Sequence, residues 1–178
     1  MNFDFLIKDY MLTEYKSLDP KDISIGQSVR DLCKQNSCGQ YGRNYMCPPH
    51  VKSIPECKKE IHSYSNAVLF TKAYPKKNSF DFESLMKAAK DFGKTIQKMR
   101  GDFQKKYPDQ KFIFLGAGGC TVCEECACIE DEPCRFPEKA FSSVEANGIE
   151  VLNLCREIGV KYNNGENSVT YMGMILHM

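Results

Sequence analysis

No window of this sequence approaches eighteen uncharged apolar residues, and the opening MNFDFLIKDYM has neither a basic start nor a long apolar run. A membrane span and a secretory leader are therefore not expected, and the reading is of a soluble, cytoplasmic protein with no membrane partner. Neither sign of charge is in excess: 24 Lys and Arg face 23 Asp and Glu, a formal net charge of +1. No global field draws the chain to nucleic acid, and none is expected as a partner. Histidine is scarce. His50, His62 and His177 are scattered, and no serine or cysteine stands in a recognisable nucleophile setting, so hydrolase chemistry finds no support. Repeats and low-complexity linkers are also missing, and 178 residues suit one domain over residues 1–178 with a sizeable core.

Cysteine, by contrast, is abundant. Ten cysteines can mean a disulfide framework, metal ligation or small buried hydrophobes. A reducing cytosol argues against disulfides, and core packing alone would scatter the residues. Here Cys33, Cys38, Cys47 and Cys57 form one group, while Cys120, Cys123, Cys126, Cys128 and Cys134 form another. Metal is the leading reading. Cys155, next to Leu152 and Leu154, reads as core.

The pattern along the chain places these groups on loops. Residues 11–25 read as an extended segment and turn, and QSVRDLCKQ as a short helix. Residues 36–49, NSCGQYGRNYMCPP, are loop. Ser53 is an N-cap candidate for a helix running to about Tyr64, with Pro55 in its first turn and Glu56 suiting the dipole. NAVLFTKAY and KFIFLG read as buried strands, and SVTYMGMILHM as a closing one. Between the first two, Leu85, Ala89, Phe92, Ile96, Met99 and Phe103 make one stripe of a long helix. Lys87, Lys90, Lys94 and Lys98 share another face, either solvated surface or a docking patch for an acidic redox partner protein. PEKAFSSVEANG reads as a helix from Pro137 to Gly148, and IEVLNLCREIG as a second short helix or a strand-helix pair. The expected fold is α/β or α+β, a single compact domain in which helices cover a central sheet of three to five strands, with cysteine-rich metal-binding loops.

Cys120, Cys123 and Cys126 follow the spacing C-x2-C-x2-C, with Cys134 after seven intervening residues. Three thiolates at steps of three can wrap one face of a [4Fe-4S] cube while a fourth arrives from farther along, as in bacterial ferredoxins. The ferredoxin run brings its fourth cysteine after three residues, so Cys126 and Cys128 compete here for the third position, with Cys126 preferred. Gly116, Gly118 and Gly119 let the backbone turn sharply and aim N–H groups at sulfur. A nucleotide-binding reading of GAGGCT fails, because Thr121 stands where G-x-G-x-x-G needs glycine. In the first group, C-x4-C-x8-C-x9-C would give a second Fe-S or zinc site, although Cys57 sits in a predicted amphipathic helix where a packed thiol is equally natural. Zinc is the weaker reading: the thiols come as triplets rather than separated pairs, and the chain has enough apolar residues to fold without a structural metal. His50 could serve as a ligand or orient a group, and Arg43 and Arg135 could raise a cluster's potential or bind an anion.

CGQYGRNYMCPPH (residues 38–50) and GCTVCEECACIEDEPCRFPEKAFSSVEANGIEV (residues 119–151) resemble a family of uncharacterised, cysteine-rich predicted metal-binding proteins, a domain of unknown function frequent in anaerobic bacteria and archaea. The resemblance implies a cysteine-ligated metal centre with no assigned reaction. It carries Cys33, Cys38, Cys47, Cys120, Cys123, Cys126 and Cys134 over as candidate ligands. The expected function is an iron-sulfur protein with one or two [4Fe-4S] clusters that transfers electrons in anaerobic metabolism. The alternatives are a redox enzyme whose open-site cluster meets a small substrate, and a zinc-binding interaction module.

Overall fold

The computed structural model describes residues 3–78 and 81–178. At its centre four antiparallel strands lie in the order β1-β2-β4-β3: β1 (Glu14–Leu18), β2 (Asn66–Pro75), β3 (Phe112–Leu115) and β4 (Ser168–His177). β2 and β4 run side by side over ten residues, from Asn66 opposite His177 to Pro75 opposite Ser168. Alternate side chains leave by opposite faces. Val68, Phe70, Phe114 and Ile175 meet α1 (Phe5–Tyr10) and α4 (Phe82–Lys106). Ala67, Leu69, Leu115, Met174 and Leu176 meet α3 (Ile54–His62), α5 (Val151–Ile158) and the irregular chain near Val144 and Ile149. Burial on both faces explains the continuous apolar runs that mark β2 and β4. The architecture is α+β, with the sheet and its covering helices as expected.

One element goes unread in the sequence and two readings are corrected. α1 escapes notice because six residues give no period to read, yet Phe3, Leu6 and Tyr10 are buried, with Phe3 stacked on Phe103 at 6.4 Å. The buried stripe of α4 takes Ala88 instead of Ala89, then continues through Phe92, Ile96, Met99 and Phe103. Residues 137–148 do not form a helix. Their backbone is engaged elsewhere: Gly116 N donates to Ser142 O and Val144 N to Gly116 O, both at 2.9 Å, prolonging the line of β3. Ser143 and Asn147 bond locally to the same chain, a competition with helix that these residue types favour, and only a 3-10 turn, Glu145–Asn147, remains.

Ser53 caps α3 in a reciprocal box: its backbone N–H donates to the Glu56 carboxylate at 2.8 Å, and the helix ends at His62, two residues short of the expected Tyr64. Farther along the sheet, the buried Lys72 donates to Asp91 (2.9 Å) and Thr95 (3.0 Å), while Tyr74 donates to the same Asp91 oxygen (2.7 Å). The Lys72 bond first, and the Tyr74 bond second, hold the Asp91 carboxyl below its ordinary 3.8. A depressed folded value means that the contribution to stability is full above pH 3.8 and lost as the pH falls through the folded value. Asp91→Asn is expected to cost about 1–2 kcal/mol at pH 7, less than for a fully buried pair because Asp91 is half-exposed. Urea denaturation checks it: the difference from wild type should shrink toward pH 3 (~1 unit below the ordinary value).

Candidate metal centre

The first cysteine group begins at the last residue of α2 (Gln27–Cys33) and continues through the loop to α3. Arg30, one turn before Cys33 and only 8% exposed, fastens this region. It donates Nε and Nη2 to the Ala146 carbonyl (3.1 and 2.7 Å), Nη1 to the Lys52 carbonyl (2.6 Å) and Nη2 to Cys57 Sγ (3.4 Å). The loop itself is built around the buried Asn44, which donates to Gln40 Oε1 (3.1 Å) and accepts from Met46 N (3.1 Å). A cis peptide joins Pro48 and Pro49.

Cys33, Cys38 and Cys47 lie within electrostatic reach of one another. Burial pushes the Cys47 thiol up to about 11, and the charges of Cys38, Cys33 and Cys120 add to it against an Asn44 hydrogen bond. Burial also raises Cys33, with Cys38 and then Glu145 contributing and Arg30 opposing. Cys57 stands apart. It is buried inside α3, its thiol directed at the Lys52 carbonyl (3.6 Å) and at Arg30, so it serves the packing of α3 against α2.

The second group follows β3. Gly116 is needed for close approach: a Cβ there would lie 2.5 Å from the Phe141 ring, while Gly118 adopts the left-handed region at φ 72°. Cys120, Cys123, Cys126 and Cys134 then line one small cavity together with Tyr45, Met46 and Phe136. Cys128 is not among its lining residues. It is buried in the 3-10 turn Ala127–Glu130 just behind.

The two competitors for the third position differ electrostatically. Burial works against ionisation of Cys126, but the backbone N–H groups of Cys128 and Tyr45, the Cys128 thiol and the charge of Arg135 outweigh it and hold the Cys126 thiol below its ordinary value. Burial first, and the bond to Cys126 second, push Cys128 up to about 11. Of the two, Cys126 is the acceptor and the more readily ionised, with Cys128 its donor. Burial also raises Cys120, as do the neighbouring Cys126, Cys123 and Cys134, while the Val122 N–H opposes. Arg135 is tied in place by Glu130 (3.0 Å) and the Glu125 carbonyl (2.9 Å).

The two loops form one structure. Gln40 packs on Gly119, where a Cβ would sit 2.5 Å from Gln40 Oε1, and Tyr45 donates its hydroxyl to the Glu132 carbonyl at 2.7 Å. Tyr45 and Asn44, both from the first loop, were not singled out from the sequence: a loop tyrosine and asparagine carry no spacing signal, and only the packing of the loops gives them partners. His50 is exposed, sets its ring edge-on to Tyr45 at 5.5 Å and lies outside the cysteine cavity. Arg43 is also exposed. Cys155 is buried, its thiol 3.4 Å from Met172 Sδ. Among the described residues, no three His, Cys, Asp or Glu side chains lie close enough to hold a single metal ion, and no helix is long and apolar enough to cross a membrane.

Two interlocked cysteine loops, one between α2 and α3 and the other after β3, define a cysteine-rich module. The chain belongs to the family described as Predicted metal-binding protein (DUF2284), whose model spans residues 16–177 and takes in both loops. No curated protein and no solved structure matches the chain.

Proposed function

We propose that this is an iron-sulfur protein in which Cys120, Cys123, Cys126 and Cys134 hold a [4Fe-4S] cluster. The observation that carries the reading is that Cys120, Cys123, Cys126 and Cys134 surround one cavity just after β3. Four thiolates around one site suit a cubane, in which each binds its own iron. Such a cluster supplies one-electron transfer. This chain's own groups then favour the reduced, more negative state: the N–H groups of Val122, Tyr45 and Cys128 donate to sulfur, and Arg135 adds a fixed positive charge.

Cys33, Cys38 and Cys47 would hold a second cluster beside it, with Cys57 outside the set. Three thiolates leave one position for a ligand of another kind, which favours this group for chemistry on a small substrate. An acidic redox partner would dock at the recess between Lys90, Lys94 and Lys139, whose wall includes Thr121 and Val122 of the second loop. Iron, acid-labile sulfide and zinc per chain, measured on protein purified without oxygen, test the proposal. About eight irons with matching sulfide are expected for two cubanes, with an EPR signal after dithionite reduction. Zinc without sulfide would overturn it.

A further inference from the structure

A cleft of about 350 Å³ runs along the free edge of β3, between the loop that carries Tyr45 and His50 and the chain near Phe141. Its volume falls in the range of small-molecule sites. Its lining includes Tyr45 and three phenylalanines, Phe112, Phe114 and Phe141, that belong to one apolar cluster. Three of its residues, Tyr45, Met46 and Ala140, also line the cysteine cavity, so an occupant would be separated from that cavity by a single layer of side chains.

The charges within the cleft do not cancel. Lys52 is paired with Glu60 at 2.7 Å. Arg100, reaching in from α4, donates Nη1 to the Ala140 carbonyl at 2.9 Å and makes no ion pair with a carboxylate among the described residues. Burial lowers its pKa below the usual arginine value, opposed by the charge of the exposed Glu138. A half-desolvated guanidinium fixed through one nitrogen keeps its other donors for a ligand, and their fork matches a carboxylate. One arginine without a glycine-rich loop suits a monoanion better than a phosphate dianion. Flat aromatic walls suit a planar body.

We propose that this cleft binds a small planar molecule bearing a carboxylate, its anionic end on Arg100 and its ring among Phe112, Phe114 and Phe141. The site goes beyond the metal centre and does not depend on which metal the cysteines hold.

The test is calorimetric titration of the metal-loaded protein with benzoate, with benzamide as the uncharged counterpart. Benzoate is expected to bind at millimolar concentration and benzamide at least about tenfold more weakly. Arg100→Met should weaken benzoate by about tenfold or more while iron content stays unchanged. Wild-type protein gives a second readout that requires no variant to fold: benzoate should slow modification of Arg100 by phenylglyoxal, followed by peptide mass spectrometry. Absence of benzoate binding, equal binding of benzamide, or failure to protect Arg100 would overturn the proposal. Zinc in place of iron would defeat the electron-transfer reading and leave the benzoate result standing, so the two failures are distinct.

Discussion

Cys126→Ala is expected to lose about half of the bound iron and sulfide, whereas Cys128→Ala keeps the full complement. The two thiols are separated by one residue, yet the structure gives them different surroundings. Cys126 lines the cavity with Cys120, Cys123 and Cys134 and accepts hydrogen bonds from two backbone N–H groups, while Cys128 is turned into the 3-10 turn and donates to Cys126. In the proposed cluster, loss of a ligand would remove one corner. Loss of a donor changes how well the reduced cluster is stabilised, so Cys128→Ala should lower the reduction potential at constant iron. Iron and sulfide assays with an EPR-monitored redox titration of both variants check this. Equal iron loss in the two would put both thiols in the ligand set, and loss from Cys128→Ala alone would reverse the assignment.

Spacing narrowed this choice without deciding it. C-x2-C-x2-C is a statement about how far a loop can wrap, and Cys126 and Cys128 are both within that reach. What separates them is Tyr45, 81 residues before Cys126, whose N–H comes to Cys126 only when the two loops interlock. The strands of the sheet were legible for the opposite reason: β2 and β4 are buried on both faces, and an apolar run records that in the local sequence. Residues 137–148 misled because Pro137 and Gly148 resemble helix ends, while the bonds that prevent the helix come from Gly116 in a distant segment. Arg100 was equally hidden. On a helix with many basic residues nothing local distinguishes it, and its meaning comes from the cleft that it enters.

Arg30→Met is expected to lower stability by about 3 kcal/mol and the melting temperature by roughly 6–12 °C. The methionine can fill the space of the buried stem but cannot donate. It would strand the Ala146 carbonyl entirely and leave the Lys52 carbonyl with only the longer Cys57 thiol contact. Arg30→Lys should recover only part of the loss, because one ammonium cannot reach Lys52 just before α3, Cys57 on it and Ala146 in the 3-10 turn with the geometry of a planar fork. The damage should also be local. Arg30 sits one turn before Cys33, and its bonds hold α2 against the entry to α3 and against Ala146, whereas the loop carrying Cys120–Cys134 hangs from β3 on bonds that Arg30 does not make. Metal associated with Cys33, Cys38 and Cys47 should therefore become labile to a chelator while the remainder stays bound. Thermal unfolding and timed iron release from the variant, compared with wild type, measure the two effects separately. Uniform release from both groups would show that the loops stand or fall as one unit, with Arg30 supporting the fold rather than the first site.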